Sequence, residues 1–148
     1  MKPGKVRATA ICLIQHAGRL LVAEGYDEVK RNTFYRPLGG AIEFGELGSE
    51  TIARELMEEI HAQIENIRSL GTLENVFVYN GQKGHQIMLV YTGDLTDRHL
   101  YDLAVLSAHK DDGQEFKAVW MPIEEFRQGR AIIYPDGILD LLPVFPSI

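Results

Sequence analysis

The sequence is poor in cysteine, in long apolar runs and in positive charge, and each shortage excludes something. Cys12 is the only cysteine, so no internal disulfide can form and no paired C-x-x-C metal or redox motif exists. That suits a reducing cytoplasm, and the apolar run around Cys12 points to simple packing. No stretch approaches the roughly 20 apolar residues of a membrane span. The N-terminus, MKPGKVRATAICLIQH, places basic residues before an apolar run. That run alternates as a strand does and no small-residue cleavage site follows, so a signal peptide is not expected. Lys and Arg number 15 against 21 Asp and Glu, a net charge of −6, which argues against a nucleic acid polymer as partner. A small phosphate compound delivered with its metal ion stays open. There is no G-x-S-x-G, no P-loop, no internal repeat and no low-complexity segment.

What is present reads as one soluble globular domain over residues 1–148, since 45% of the chain is hydrophobic and 24% charged. A chain of this length buries about two-thirds of its unfolded surface. Val6 to Gln15 and Leu20 to Ala23 read as strands joined by the turn Ala17-Gly18-Arg19. Tyr26 to Asn32 reads as an exposed loop. Ile64 to Tyr79 is a long strand reading, with Gly71 as a bend or bulge. The turn Asn80-Gly81 leads to a partner strand over Gln86 to Tyr91. Asp94 to Asp112 is polar and irregular. Phe116 to Trp120 is a strand candidate, followed by short helices from Pro122 and over Ile138 to Leu142. Strands flanking a central helix make a layered α/β protein.

The chemistry concentrates in Pro37 to Ala62, PLGGAIEFGELGSETIARELMEEIHA. Ser49 is the N-cap candidate of a helix rich in Ala, Leu, Met and Glu. On that helix Ile52, Ala53, Leu56, Met57 and Ile60 are expected to share one apolar face, and Glu55, Glu58 and Glu59 the opposite one. Like charges four residues apart cost a few tenths of a kcal/mol. A hard divalent cation reverses that sign, because it takes carboxylate oxygens as ligands.

This stretch closely resembles the signature box of the Nudix hydrolases, G-x5-E-x7-R-E-U-x-E-E-x-G-U with U aliphatic. Gly40, Glu46, Arg54, Glu55, Leu56, Glu58 and Glu59 match it position by position. Six matched glycine or charged positions arise by chance roughly once in ten million windows. The last glycine of the box is His61 here and the final aliphatic is Ala62. The glycine lets the chain leave the helix with positive φ, a region that His visits more readily than most residues.

The resemblance implies the Nudix fold, a mixed β-sheet sandwiched between helices, and hydrolysis of a diphosphate bond in a nucleoside diphosphate derivative. It implies Mg²⁺, or Mn²⁺ in its place, held by Glu55, Glu58 and Glu59 with the Gly39 carbonyl. Glu55 is then also the general-base candidate, Arg54 the group that orients the carboxylates, and Glu46 a brace or an outer contact. Gly40 would let the substrate approach the backbone, and Arg36 is the best-placed phosphate ligand, ahead of Arg7, Lys83 and His85. Tyr79 falls where related dinucleoside polyphosphate hydrolases carry a tyrosine, which makes it a base-stacking candidate. Many members supply a further Glu from a loop before a late strand. In Asp111-Asp112-Gly113-Gln114-Glu115 the expected ligand is Glu115. The partner is a small nucleotide, with no membrane, and a homodimer is compatible with all of this. A silent nucleotide sensor and an isoprenoid diphosphate isomerase are the competing functions. The retained carboxylates disfavour the sensor, and the isomerase lacks its further acid–base residues.

Overall fold

The computed structural model describes residues 4–110 and 112–143. Strands β1 (Val6–Leu13), β2 (Gln15–His16), β3 (Arg19–Asp27) and β4 (Asn32–Ala41) precede helix α1 (Gly48–Ile60). Strands β5 (Ile64–Tyr79), β6 (Gln82–Leu95), β7 (Val105–His109) and β8 (Glu115–Pro122) follow, then a short helix α2 (Ile123–Arg127). Turns of 3₁₀ helix occupy Arg98–Asp102 and Ile138–Leu141. The strands form a mixed sheet in the order β5-β6-β1-β4-β3-β8-β7, with β2 paired to β3. Pairing of β1 with β6 is parallel and pairing of β1 with β4 antiparallel. No helix among the described residues is long and apolar enough to cross a membrane.

The near-continuous apolar run of β1 marks a strand covered on both faces. Ala10, Cys12 and Ile14 face a core shared with Ile52, Leu56 and Ile60 of α1. Ile11 and Leu13 face a second core with Ile123, Phe126 and Ile138. The sheet therefore lies between α1 on one side and α2 with the last 3₁₀ turn on the other. Cys12 is fully buried, and burial pushes its thiol up to about 12. The native protein should thus leave Cys12 unlabelled by a thiol reagent at pH 8, with labelling appearing only in denaturant. Labelling at the rate of a free thiol under native conditions would contradict this packing.

Several sequence expectations are corrected by pairing that no local pattern announces. The loop expected over Tyr26 to Asn32 shrinks to four residues, because Tyr26↔Thr33 and Asp27↔Asn32 continue the β3–β4 ladder. The buried Asp27 carboxylate accepts the N–H groups of Val29 and Lys30, both at 3.0 Å, and so closes that turn. The irregular stretch after Asp94 contains β7, which pairs Leu106↔Ala118 and Ala108↔Phe116 with β8. Asn80 and Gly81, with φ of 50° and 79°, form the tight turn between β5 and β6. The register shift between Ser69 and Gly71 is the expected bulge.

The helix boundaries also differ from expectation. Leu47, not Ser49, is the N-cap of α1, and Glu50 Oε1 reaches back to accept the Leu47 N–H at 2.8 Å. At the other end His61 adopts φ 54° and ψ 37°, and Ala62 N–H returns to the Leu56 carbonyl at 3.3 Å. The helix thus ends as a glycine would end it, with a side chain paying for the left-handed turn. His61→Gly should raise the stability by about 1 kcal/mol, since left-handed backbone costs a side chain roughly that much. Thermal unfolding measures it. A lower melting temperature would mean that the His61–His109 ring contact outweighs the strain.

Candidate active site

The face of α1 that meets the sheet is not the one expected. Thr51, Ile52, Glu55, Leu56, Glu59 and Ile60 are buried, whereas Met57 is 41% exposed. Ile52, Glu55, Leu56, Glu59 and Ile60 follow the i, i+3, i+4 rule among themselves, so two of the three carboxylates share the apolar stripe. Glu58 stands at the solvent edge. The apolar residues Ala53 and Met57, which made the other face look like the inside, point outward.

Arg54 ties the site together. Its Nε donates to Glu46 Oε2 at 2.7 Å and its Nη2 to Glu46 Oε1 at 3.0 Å, a two-pronged pair. Nη2 also donates to the Ala41 carbonyl at 3.1 Å, and Nη1 to Glu55 at 3.0 Å and Glu58 at 3.3 Å. Glu46 Oε1 further accepts the Thr51 hydroxyl at 2.7 Å and the Glu43 N–H at 3.2 Å. These bonds, Arg54's first, hold the Glu46 carboxyl down at about 2. Both oxygens of Glu46 are occupied, so it braces the loop between β4 and α1 and offers nothing to a ligand in this arrangement.

The glycine pair belongs to strand β4. Gly39 lies opposite Ile11 and Gly40 opposite Ala10. Any Cβ on Gly40 would come within 2.5 Å of the Glu55 carboxyl. The absence of a side chain there makes the space that Glu55 fills. Gly39 has φ 148°, and a Cβ on it would collide with the Ala10 carbonyl oxygen.

A cleft of about 330 Å³ opens beside this pair, lined by Arg7, Arg36, Gly39, Gly40, Ala41, Glu55, Glu59, Lys110 and Asp112. Glu59 is 4% exposed, and its Oε1 has no hydrogen-bond partner among the described residues. Burial pushes its carboxyl up to about 8; the Arg36 guanidinium opposes the rise and neighbouring Glu55 adds to it. A second opening lies between Glu43, Arg54, Glu58 and Lys110.

The structure brings together Arg36, Gly39, Gly40, Glu55 and Glu59, with Arg54, Glu46 and Glu58 adjoining. Arg7 joins them, but Lys83 and His85 are not in the cleft lining. Glu115 is not brought in either: its side chain is 84% exposed and lies 3.7 Å from His109 Nε2. Glu115 opens β8 and pairs with His109 at the end of the β7–β8 ladder. The preceding loop supplies Lys110 and Asp112 instead, while Asp111 lies outside the described residues. Tyr79 is also absent from the lining; its ring packs edge-on against Phe34 at 5.6 Å. Sequence reasoning missed Lys110, whose only signal was its place in the same loop as the acidic cluster.

Comparison with known proteins agrees with this geometry. The family model described as the NUDIX domain matches residues 4–141. The chain belongs to the NUDIX family. Its fold is similar to that of a NUDIX hydrolase from Nitrosomonas europaea (TM-score 0.61, 19% identity, covering 93% of this chain and 86% of that one). It is also similar to a MutT NUDIX hydrolase from Burkholderia pseudomallei (TM-score 0.59, 18% identity, 81% and 85% covered). A third likeness is to an ADP compounds hydrolase (TM-score 0.58, 18% identity, 88% and 64% covered). NUDIX enzymes are pyrophosphohydrolases that generally use divalent metal ions. Among the described residues no three His, Cys, Asp or Glu side chains stand ready as a ligand cluster. The donor chemistry nevertheless fits. A buried carboxylate oxygen without a partner, beside a second buried carboxylate, is what a hard cation satisfies.

Proposed function

We propose that this NUDIX protein hydrolyses a diphosphate bond in a nucleoside diphosphate derivative, with Mg²⁺ as the ion and Mn²⁺ able to replace it. The observation that carries the reading is the partnerless Oε1 of buried Glu59, beside Glu55 in a cleft that Arg7 and Arg36 also line. Carboxylates and arginines lining one cleft suit a metal-bound diphosphate. The likeness to an ADP compounds hydrolase supports a nucleotide in this place.

Glu55, Glu58 and Glu59 would hold the ion, with the Gly39 carbonyl as a further ligand. When bound, Mg²⁺ neutralises phosphoryl oxygens and acidifies water. Arg54 aims Glu55 by donating to it, so that Glu55 can take the proton of the attacking water. That water adds to phosphorus, the bridging P–O bond breaks, and the electron pair leaves with the departing phosphate. Arg36 lines the same cleft and would hold phosphate oxygens beside the carboxylates. Glu46 acts through Arg54, not on the substrate. The protein's net acidity fits a small substrate in the cytoplasm, not a nucleic acid polymer.

The test is a screen of the purified protein with Mg²⁺ against nucleoside triphosphates, nucleotide sugars, dinucleoside polyphosphates and coenzyme A. Released phosphate or pyrophosphate is scored. Turnover on at least one class is expected, and it should vanish with a chelator and return with Mg²⁺ or Mn²⁺. No turnover on any class, with nucleotide binding intact, would replace the enzyme by a sensor.

A further inference from the structure

Three cations reach the cleft from three separate elements: Arg7 from β1, Arg36 from β4 and Lys110 from the loop between β7 and β8. Among the described residues no side chain of the three makes a hydrogen bond or an ion pair, although the Arg36 charge acts on Glu59, while the Arg54 side chain is taken up by Glu46, Glu55 and Glu58. Lys110 differs from the two arginines in position. It lines both openings, the one that contains Glu55 and Glu59 and the one between Glu43, Arg54 and Glu58.

Its backbone is fixed by a compact turn. Lys110 N–H donates to the Gln114 carbonyl at 2.8 Å, and Gly113 N–H donates to the Lys110 carbonyl at 2.8 Å. Asp112 Oδ1 accepts the Gln114 N–H at 2.9 Å. Among the described residues Lys110 is the one residue common to the linings of the two openings. In the second opening it is opposed only by Glu43, Glu58 and an Arg54 already bound to carboxylates.

We infer that Lys110 is a specificity-determining residue that holds a phosphate lying beyond the pair being split, which makes a substrate with at least three consecutive phosphates the preferred class. The inference rests on the proposed reading of the cleft as a diphosphate site. A diphosphate diester fills the first opening and carries one charge on each phosphate. A third phosphate extends the chain toward Lys110, common to both openings, and adds negative charge there. An unpaired ammonium at that point rewards the longer chain and is nearly indifferent to the shorter one.

The experiment is calorimetric titration of the Mg²⁺-loaded protein with inorganic tripolyphosphate and with pyrophosphate, for the natural chain and for Lys110→Gln and Lys110→Arg. Lys110→Gln should weaken tripolyphosphate about tenfold, in line with losing one charge-assisted contact. It should leave pyrophosphate within about twofold, and Lys110→Arg should recover most of the loss. Equal weakening of both anions, or of neither, overturns the inference whether or not the protein turns anything over. In parallel, kcat/KM is compared for a nucleoside triphosphate and a nucleotide sugar. A natural chain that hydrolyses none of the four screened classes removes the proposed function but leaves the titration to decide Lys110. A natural chain that prefers the triphosphate, with the preference lost in Lys110→Gln through KM at unchanged kcat, supports both. A preference that survives the substitution rejects the role of Lys110 alone.

Discussion

Glu59→Gln is expected to lower turnover about a hundredfold or more while raising the thermal stability of the metal-free protein above neutral pH. The first effect follows from removing a hard anionic oxygen where the ion's neutralising charge is worth several kcal/mol. The second follows from linkage. Burial raises the folded-state Glu59 carboxyl from 4.5 to about 8. Between those values the unfolded chain releases the proton more readily than the folded one. The unfolded state therefore gains as pH rises, and the metal-free protein loses stability on the order of a few kcal/mol across that window. The glutamine has no charge to desolvate, so the difference between variant and natural chain should be small near pH 4.5 and grow toward pH 8. Added Mg²⁺ should stabilise the natural chain at pH 8 and the variant much less. Melting curves at both pH values, with and without the ion, and initial rates at saturating substrate check the set. A variant with near-normal turnover would remove Glu59 from the metal-binding group. A variant that melts earlier at pH 8 without metal would show that the carboxylate is not strained by its burial.

Gly39→Ala should be the most destabilising single methyl in the protein. The site is a strand position with φ 148°, and the added Cβ would meet the Ala10 carbonyl oxygen and lie 2.8 Å from Ile11 Cα. Those are backbone atoms of β1, which is held by β6 on its other side, so neither can step aside cheaply. Strain and overpacking together should cost about 3 kcal/mol or more, seen as a melting temperature lower by about 10 °C in a chain of this size. Gly40→Ala makes the instructive contrast. Its Cβ meets a side-chain carboxyl, that of Glu55, which can swing away. Stability should fall less, while activity falls with the displaced Glu55. If the two alanines cost the same stability, the distinction between backbone and side-chain obstruction fails.

The sequence by itself determined the box and which residues occupy its positions. Gly40, Glu46, Arg54, Glu55, Glu58 and Glu59 stand at fixed offsets, and the helix geometry that brings Arg54 within reach of Glu58 is local. The chain-leaving turn at His61 and the tight turn at Asn80-Gly81 were legible for the same reason, since both are set by a few neighbouring dihedrals. The tertiary structure decided what local rules could not. It placed Glu55 and Glu59 on the buried side of α1, with Gly40 of β4 leaving the space that the Glu55 carboxyl fills. It made Glu46 a brace, because Arg54 reaches it across the loop with both prongs. It kept Glu115 and Tyr79 out of the cleft and brought in Lys110, because strand register fixes which end of a loop or hairpin faces the site. Register depends on pairing between residues distant in the chain, so no reading of neighbours along the sequence contains it.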